Sequence, residues 1–332
     1  MPAQAPAFWR KRGPLACLLF PLSLLFGALA SRRRRRARVE TLPVPVIVVG
    51  NIAVGGSGKT PVVQWLVAQL RAAGFRPGIV SRGHGGRVDG VAEVPVDGDP
   101  ARYGDEPILL AGSCACPLVV GRDRPAAARE LLRQHPECDV IVADDGMQHY
   151  RLARDVEIAV VDPATLGNGF LLPAGPLREP LARLREVDVL IAHGALSATQ
   201  QAAAGAVPVF PMQLWGGVLR ALRNPQQTLE LEALRGRRVH AVAGIGRPER
   251  FFAQLEAAGL EVLRHPFPDH HDFVARDLVF SESVPILMTA KDAVKCKAFA
   301  PDDSWEFPVQ AQIGSGAAER ILEKLKNGRT IA

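Results

Sequence analysis

Apolar positions in this chain come in short blocks rather than in strict alternation. Runs of β-branched residues end at Gly50, Ser81, Gly121, Ala143, Val161 and Ala192, each closed by glycine, a carboxylate or another turn residue. Between them lie stretches with helical spacing, such as PVVQWLVAQLRAAG after Thr60 and PAAARELLRQH from Pro125. A strand that is apolar at every position is covered on both faces, and strands alternating with helices predict parallel βαβ units wound on both sides of one sheet. In such sheets ligands bind beyond the carboxyl ends of the strands. Gly50–Asn51, Ser81–Arg82, Arg122 and Asp144–Asp145 all fall at such ends, so the pattern predicts that they converge on one crevice.

The pattern changes near Val207. VPVFPMQLWGGVLRAL reads as an extended ribbon, and from Val239 a second, smaller αβ pattern begins: HAVAGIG, a helix through PERFFAQLEAAG, then LEVLRHPF. Residues 317–326 read as a closing helix. The expected division is therefore an N-terminal segment (1–38), a larger α/β domain (39–206), a linking ribbon (207–238) and a smaller α/β domain (239–332). Gly244-x-Gly246 lacks the third glycine of a dinucleotide fingerprint, with Glu249 in its place, and reads as a plain βα turn.

Charge changes the picture of the N-terminus. The chain of 332 residues has 40 Lys and Arg against 34 Asp and Glu, but nine of the cations, and no acid, precede residue 40. The rest is slightly acidic, which argues against a nucleic-acid-binding body. Between Arg12 and Arg32 lies PLACLLFPLSLLFGALA, 17 apolar residues interrupted by Pro21. A full span needs about 20. Arginines on both sides give no orientation, and the polyarginine run argues against an exported signal peptide. A helical hairpin or tilted helix entering one leaflet, with arginines holding anionic headgroups, fits best; a true span and a buried core helix are the alternatives. The five cysteines (17, 114, 116, 138 and 296) form no CxxC pair and read as reduced thiols in a cytosolic setting.

Candidate chemistry centres on Val44–Thr60, VPVIVVGNIAVGGSGKT. A strand, a glycine-rich turn and Gly-Lys-Thr at the start of a helix are what a phosphate-binding loop requires. Glycines let backbone N–H groups crowd around phosphate oxygens, and the helix N-terminus favours the anion. Gly55, Gly56, Ser57, Gly58, Lys59 and Thr60 are the expected nucleotide contacts, with Lys59 on the β- and γ-phosphates and the Thr60 hydroxyl on Mg²⁺. Ala53 stands where the strict pattern has glycine. Val54 stands where partition-type ATPases carry a second lysine, which argues against that group.

Asp144 and Asp145, at the tip of an apolar strand, are expected to face Mg²⁺; the competing reading is a turn. Gln148 and His149 follow closely and could line the same crevice. Asp105, in Gly-Asp-Glu-Pro, is either a helix cap or the carboxylate that takes an acceptor hydroxyl's proton. Arg178, in a proline-rich loop, could clamp a phosphate or pair with Glu179. His270 and His271 have no metal-ligand partners at suitable spacing; a histidine acting on the proton-accepting carboxylate is the alternative.

Together, Gly55-Gly-Ser-Gly-Lys-Thr-Pro, Ser81-Arg-Gly, Tyr103-Gly-Asp-Glu-Pro, Asp144-Asp-Gly-Met-Gln-His, Leu172-Pro-Ala-Gly-Pro-Leu-Arg-Glu, Phe267-Pro-Asp-His-His and Met288-Thr-Ala-Lys-Asp-Ala-Val-Lys resemble the tetraacyldisaccharide 4'-kinase family of Gram-negative bacteria. The resemblance runs in order from about residue 10 to residue 297. Ala290 departs from the family's usual glutamate, and Met147 from its Leu or Phe.

The resemblance implies a fold similar to P-loop NTPases with a second domain joined by a β-ribbon. It implies ATP- and Mg²⁺-dependent phosphorylation of the 4'-hydroxyl of a lipid disaccharide 1-phosphate, at the cytoplasmic face of the inner membrane. It further implies Asp105 as catalytic base paired with a histidine that best matches His270, and Arg178, Arg122 and Arg124 as substrate phosphate contacts. Two rival readings remain at this point: a membrane-recruited ATPase acting as a positional switch, and a non-catalytic nucleotide-gated scaffold.

Overall fold

A computed structural model describes residues 6–327. Helix α1 (Pro14–Arg36) carries the apolar N-terminal run. There follow β1 (Val46–Gly50), α2 (Lys59–Ala72), β2 (Pro77–Ser81), β3 (Val91–Glu93), α3 (Pro100–Tyr103), α4 (Asp105–Cys114), β4 (Leu118–Gly121), α5 (Arg124–Gln134), β5 (Val140–Asp144), β6 (Val156–Val161), β7 (Val189–Ala192), α6 (Ala198–Ala204) and β8 (Val209–Trp215). The chain then builds a second unit from β9 (Val218–Ala221), β10 (Thr228–Glu230), β11 (Arg238–Ala243), α7 (Pro248–Ala257), β12 (Glu261–Pro266), β13 (Ile286–Thr289), α8 (Ala290–Cys296) and β14 (Ser304–Phe307). It returns through β15 (Gln310–Ile313) and ends in α9 (Ala317–Asn327).

The described residues form two sheets. The larger has strand order β15-β8-β7-β6-β1-β5-β2-β4-β3, the smaller β10-β9-β14-β13-β11-β12. From β8 to β4 the larger sheet is parallel throughout, with antiparallel strands only at its two edges. Every residue of β1, β2, β4, β5, β6 and β7 is buried, as their unbroken apolar runs require. One apolar core lies under α2, α4 and α9, and a second under α5 and the opposite face. This is the doubly wound α/β sheet expected, with the smaller α/β unit attached.

Two expected boundaries differ. The linking ribbon over 207–238 is instead made by β8 pairing antiparallel with β15, Gln310 opposite Trp215 and Ile313 opposite Met212, while β9 and β10 already belong to the small sheet. The closing helix also belongs elsewhere than 239–332: Ile321 and Leu325 of α9 enter the core of the larger unit, and Lys324 pairs with Asp188 just before β7. An amphipathic helix buries its stripe on the nearest uncovered sheet face, and the return through β15 delivers it there. The small domain is thus an insertion bounded by the two ribbon strands.

The apolar run of the N-terminal segment is one continuous helix, Pro14–Arg36, and not a hairpin, with Pro21 inside it. At 23 residues it is long and apolar enough to cross a membrane, yet it is docked along one side. Ala16 and Ser23 are buried, Phe20 meets Phe170 at 4.7 Å, and Gly27 lies against Leu171. Leu15, Leu18, Leu22, Leu24, Leu25 and Leu29 remain exposed on the other faces. At its end Arg34 pairs with Glu186.

Candidate active site

The glycine-rich loop leaves β1 and enters α2 through Gly58, which has a left-handed backbone (φ 85°) that a side chain would strain. Asn51 braces it from inside: its Nδ2 donates to Ser57 Oγ (3.1 Å) and to Gly55 O (3.4 Å). Ala53 is buried and bridges Leu177, Val54 N donates to Pro176 O (2.9 Å), and Arg178 N donates to Ile52 O (2.7 Å). The proline-rich segment is thereby zipped onto the first half of the loop. That contact delivers the Arg178 side chain to the crevice.

Asp145, just past β5, is the hub. Lys59 Nζ lies 3.4 Å from its Oδ1, and Arg178 Nη1 3.3 Å from its Oδ2. Arg178 also donates to Gln148 Oε1 (3.3 Å) rather than pairing with Glu179. Burial alone would raise the Asp145 pKa, but Lys59 and Arg178 hold it far below the usual carboxylate range. Glu179 serves a different network: it accepts from Gln148 Nε2 (2.6 Å) and Tyr150 OH (2.7 Å) and pairs with Arg183 (3.1 Å).

Asp144 is almost wholly buried and accepts from Ser81 Oγ (2.9 Å). Burial, reinforced by the nearby Glu106 and Asp145 carboxylates, pushes it up to about 6. Here one expectation fails. Arg124 is fully buried, donating to Gly121 O (2.6 Å) and to the Asp144 backbone carbonyl (3.2 Å), so it braces the tip of β5 and does not reach a substrate phosphate. Arg122 is exposed and lines a separate cavity of about 530 Å³ with Arg87, Asp89 and Asp123. His149 is half-buried, held neutral by burial and the Arg124 and Arg82 charges, its pKa lowered to about 4.

On the other side of the crevice, Asp105 opens α4 and is buried. His270 Nδ1 lies 3.1 Å from its Oδ2. His271 turns away and pairs with Asp277 (3.0 Å), so the two adjacent histidines have different partners. Burial would raise the Asp105 pKa, but the bond to His270 and the charges of Lys291 and Lys295 lower it to about 2. Asp145 and His270 are both non-glycine residues with positive φ, 48° and 60°. Backbone strain of this kind concentrates at functional sites.

Several members of the site were given no role by the sequence, although Lys291 and Lys295 lie in the Met288–Lys295 motif. Lys291 Nζ sits 3.2 Å from His270 Nε2, 3.2 Å from Asp269 Oδ1 and 3.4 Å from Glu106 Oε1; Lys295 Nζ is 3.9 Å from Asp105 Oδ2. Both lysines lie on α8, four residues apart and therefore on one face, a spacing that was available in the sequence. The turn between β11 and α7, a plain βα turn as expected, approaches the phosphate loop: a Cβ on Gly246 would stand 3.5 Å from Gly56 N and 3.2 Å from Asp269 Oδ2. The glycine loop, the Asp144–Asp145 tip and the Asp105–His270 pair thus border one interdomain cleft.

The family profile described as tetraacyldisaccharide-1-P 4'-kinase matches residues 15–326. The chain belongs to this family. It is an ATP-dependent kinase of lipid A biosynthesis that phosphorylates the 4'-hydroxyl of a tetraacyl disaccharide 1-phosphate. The tetraacyldisaccharide 4'-kinase of Azoarcus sp. strain BH72 is 66% identical over 330 residues, covering 98% of this chain and 96% of the relative. That of Aromatoleum aromaticum is 63% identical over the full length of both. Among solved structures, LpxK from Aquifex aeolicus in complex with ATP superposes with a TM-score of 0.78 at 28% identity, covering 94% of this chain and 99% of that one. The kinase family thus accounts for the fold and the reaction.

Proposed function

We propose that the cleft of this kinase binds ATP on Gly55–Thr60 and that Asp105, oriented by His270, receives the proton of the lipid's 4'-hydroxyl. The observation that carries this assignment is the 3.1 Å contact between Asp105 and His270 across the domain interface, with the carboxylate ionised. The acceptor oxygen attacks the γ-phosphorus, the bond from that phosphorus to the β,γ-bridging oxygen breaks, ADP departs, and the hydroxyl proton goes to Asp105. Lys59 and Arg178 supply positive charge where it builds on the transferring group, and the rest of the work is alignment.

Mg²⁺ fits the residues present. Asp144 is a buried carboxylate whose charge Lys59 and Ser81 offset only in part, and a cation would relieve it. Asp144, Asp145 and the Thr60 hydroxyl would supply hard oxygen ligands of the kind Mg²⁺ takes while retaining waters. When bound, the ion would neutralise charge on the β- and γ-phosphates. ATP entering the loop would draw Lys59 and Arg178 from Asp145 toward phosphate, leaving that carboxylate to the metal.

Arg178, with Gln148 and His149 beside the same strand end, would meet the acceptor's phosphate, and Arg122 would meet the lipid from the cavity it lines with Arg87. The exposed leucines of α1 and the arginines at its ends fit insertion into the interface of a membrane with anionic lipids. Because acceptor, ATP and free thiols belong to the cytosol, the working position is the cytoplasmic face of the inner membrane, with α1 lying peripherally or in one leaflet.

The test is transfer of labelled γ-phosphate from ATP to a disaccharide 1-phosphate lipid. Label is expected on the lipid, with loss in Lys59→Ala and Asp105→Ala. Label reaching only water, with or without lipid, would support the positional-switch ATPase instead.

A further inference from the structure

The small domain contributes one cation whose placement constrains the chemistry of the catalytic pair. Lys291 Nζ lies 3.2 Å from His270 Nε2, on the ring nitrogen opposite the one facing Asp105. An ammonium has donors and no lone pair, so this contact is a hydrogen bond only when Nε2 is unprotonated. The remaining proton of a neutral ring must then sit on Nδ1, where it donates to Asp105 Oδ2. We propose that Lys291 is a positioning residue that holds His270 as the neutral, Nδ1-protonated tautomer, and so keeps Asp105 ionised and hydrogen-bonded without letting it become locked to an imidazolium. This rests on Asp105 being the proton acceptor.

The surroundings of His270 show why such a device is needed. The bond to Asp105 of α4 and the Asp269 charge of its own loop favour a second proton on the ring and raise its pKa from the ordinary value, while Glu106 of α4 pairs with Lys291 (3.4 Å). Opposing them are burial of the ring and the charge of Lys291 of α8; Lys295 of the same helix reaches Asp105 instead (3.9 Å), and His84 of the loop after β2 meets the ring edge-on at 5.1 Å, its own pKa lowered by burial. A carboxylate bound to an imidazolium is a weaker base than one bound to a neutral imidazole. Lys291, 3.9 Å from Asp105 Oδ2, lowers the Asp105 pKa directly, but it also opposes the second proton on His270 that would weaken the base further. Because Lys291 and His270 come from the small domain and Asp105 from the large one, the tautomer and the base are matched only when the two domains meet. Nearby, Asp292, wholly buried, ties α8 to the β11–α7 turn by accepting from Gly244 N (2.9 Å), so the lysine is carried on a fixed element.

The test compares Lys291→Met, which keeps the stem, with Lys291→Arg, which keeps a donor. In the transfer assay the acid limb of kcat in Lys291→Met should move to higher pH by about one unit, the size expected when a charge in contact is removed. Lys291→Arg should restore most of the limb's position. Nitrogen NMR of the His270 ring should show neutral, Nδ1-protonated imidazole at pH 7 in the parent and imidazolium in Lys291→Met. Thermal unfolding identifies any variant that fails to fold, and the NMR of the parent alone remains decisive. A parent ring protonated at Nε2, or an acid limb unmoved in a folded Lys291→Met, overturns the proposal. Absence of transfer by the parent would instead overturn the assignment of Asp105.

Discussion

Arg250, in the first turn of α7, places Nη1 2.6 Å from Oδ2 of Asp162, a buried carboxylate at the carboxyl end of β6. Arg247 reaches the same oxygen, and Arg250 also contacts His193 (3.0 Å), which follows β7. Two cations of the small domain are therefore fixed on one anion of the large domain, beside the strand that leads into the phosphate loop. The contact spans the cleft on the side opposite Asp105 and His270. Together the two contacts define how the small domain sits on the large one.

The double variant Arg247→Ala, Arg250→Ala leaves Asp162 buried with its charge uncompensated. Removing the partners of a buried ion destabilises by about 3–5 kcal/mol, but both arginines are about a third exposed, so solvent screening reduces this to a fraction. A lowered Tm and faster proteolysis near the β8–β15 ribbon are expected, with a larger KM for ATP. Adding Asp162→Asn should recover part of the Tm, because the orphaned charge is then gone. A double variant as stable as the parent and unchanged in KM would show that this contact does not hold the domains.

Asp144 makes metal binding depend on pH in a defined direction. Its folded pKa, about 6, lies above the ordinary 3.8, so the folded state holds its proton longer than the unfolded state. Without metal, this group favours folding at low pH, and the contribution is lost as pH rises through 4 toward 6. Mg²⁺ needs the ionised form, so the increase in Tm on adding Mg²⁺ with ATP should be larger at pH 7.5 than at pH 5.5. Asp144→Asn should raise the Tm of the metal-free protein at pH 7.5 while abolishing the metal-dependent increase. A Tm increase from Mg²⁺ that is equal at both pH values would remove Asp144 from the metal site.

Much of this was readable from residue order. The unbroken apolar runs located the parallel strands, because a strand covered on both faces has no polar side to show. Glycines and carboxylates at their ends located the loop and the β5 tip. What the sequence did not disclose depends on contacts between distant segments. Arg124 and Arg122 stand two residues apart in one basic turn, yet one is sealed beneath β5 and the other faces a cavity, and burial of that kind is set by the neighbouring strand. His270 and His271 are equivalent in sequence; their separation depends on a positive φ at His270 that turns its ring toward α4. The ribbon was half visible, since β8 is extended but its partner β15 returns about a hundred residues later. Lys291 and Lys295 stood in the Met288–Lys295 motif with no role attached, because their contact with Asp105 depends on α8 packing against α4.

Lys59 and Arg178 share Asp145, and their loss should differ in kind. Lys59→Ala removes a charge that stays with the phosphates throughout, and kcat should fall by about 10²–10³, as for loss of one transition-state donor. Arg178→Lys keeps the charge but loses the planar guanidinium whose Nη1 reaches Asp145 and Gln148 together. It should lower kcat and raise KM for the lipid while leaving KM for ATP nearly unchanged. If Arg178→Lys behaves like the parent in steady-state kinetics with both substrates, the arginine is a bystander held by Asp145.

Ser23 separates membrane docking from catalysis. Its hydroxyl, buried on the inner side of α1, donates to Leu171 O (2.7 Å) and accepts from Ala174 N (3.1 Å). These two backbone groups belong to the segment that continues through Leu177 to Arg178 and is zipped onto the phosphate loop at Ile52. Ser23→Ala strands both groups in a buried place, at about 1–3 kcal/mol for each unsatisfied partner. The exposed leucines that would meet lipid are untouched. Deleting residues 1–38 should therefore release the protein from vesicles of anionic phospholipid, whereas Ser23→Ala should pellet with them as the parent does and still lose kcat, because the mount of Arg178 is loosened. The paired measurements are vesicle sedimentation and transfer to lipid presented in detergent micelles, where membrane recruitment no longer limits the rate. A Ser23→Ala protein with full kcat in micelles would show that α1 acts on catalysis through recruitment alone.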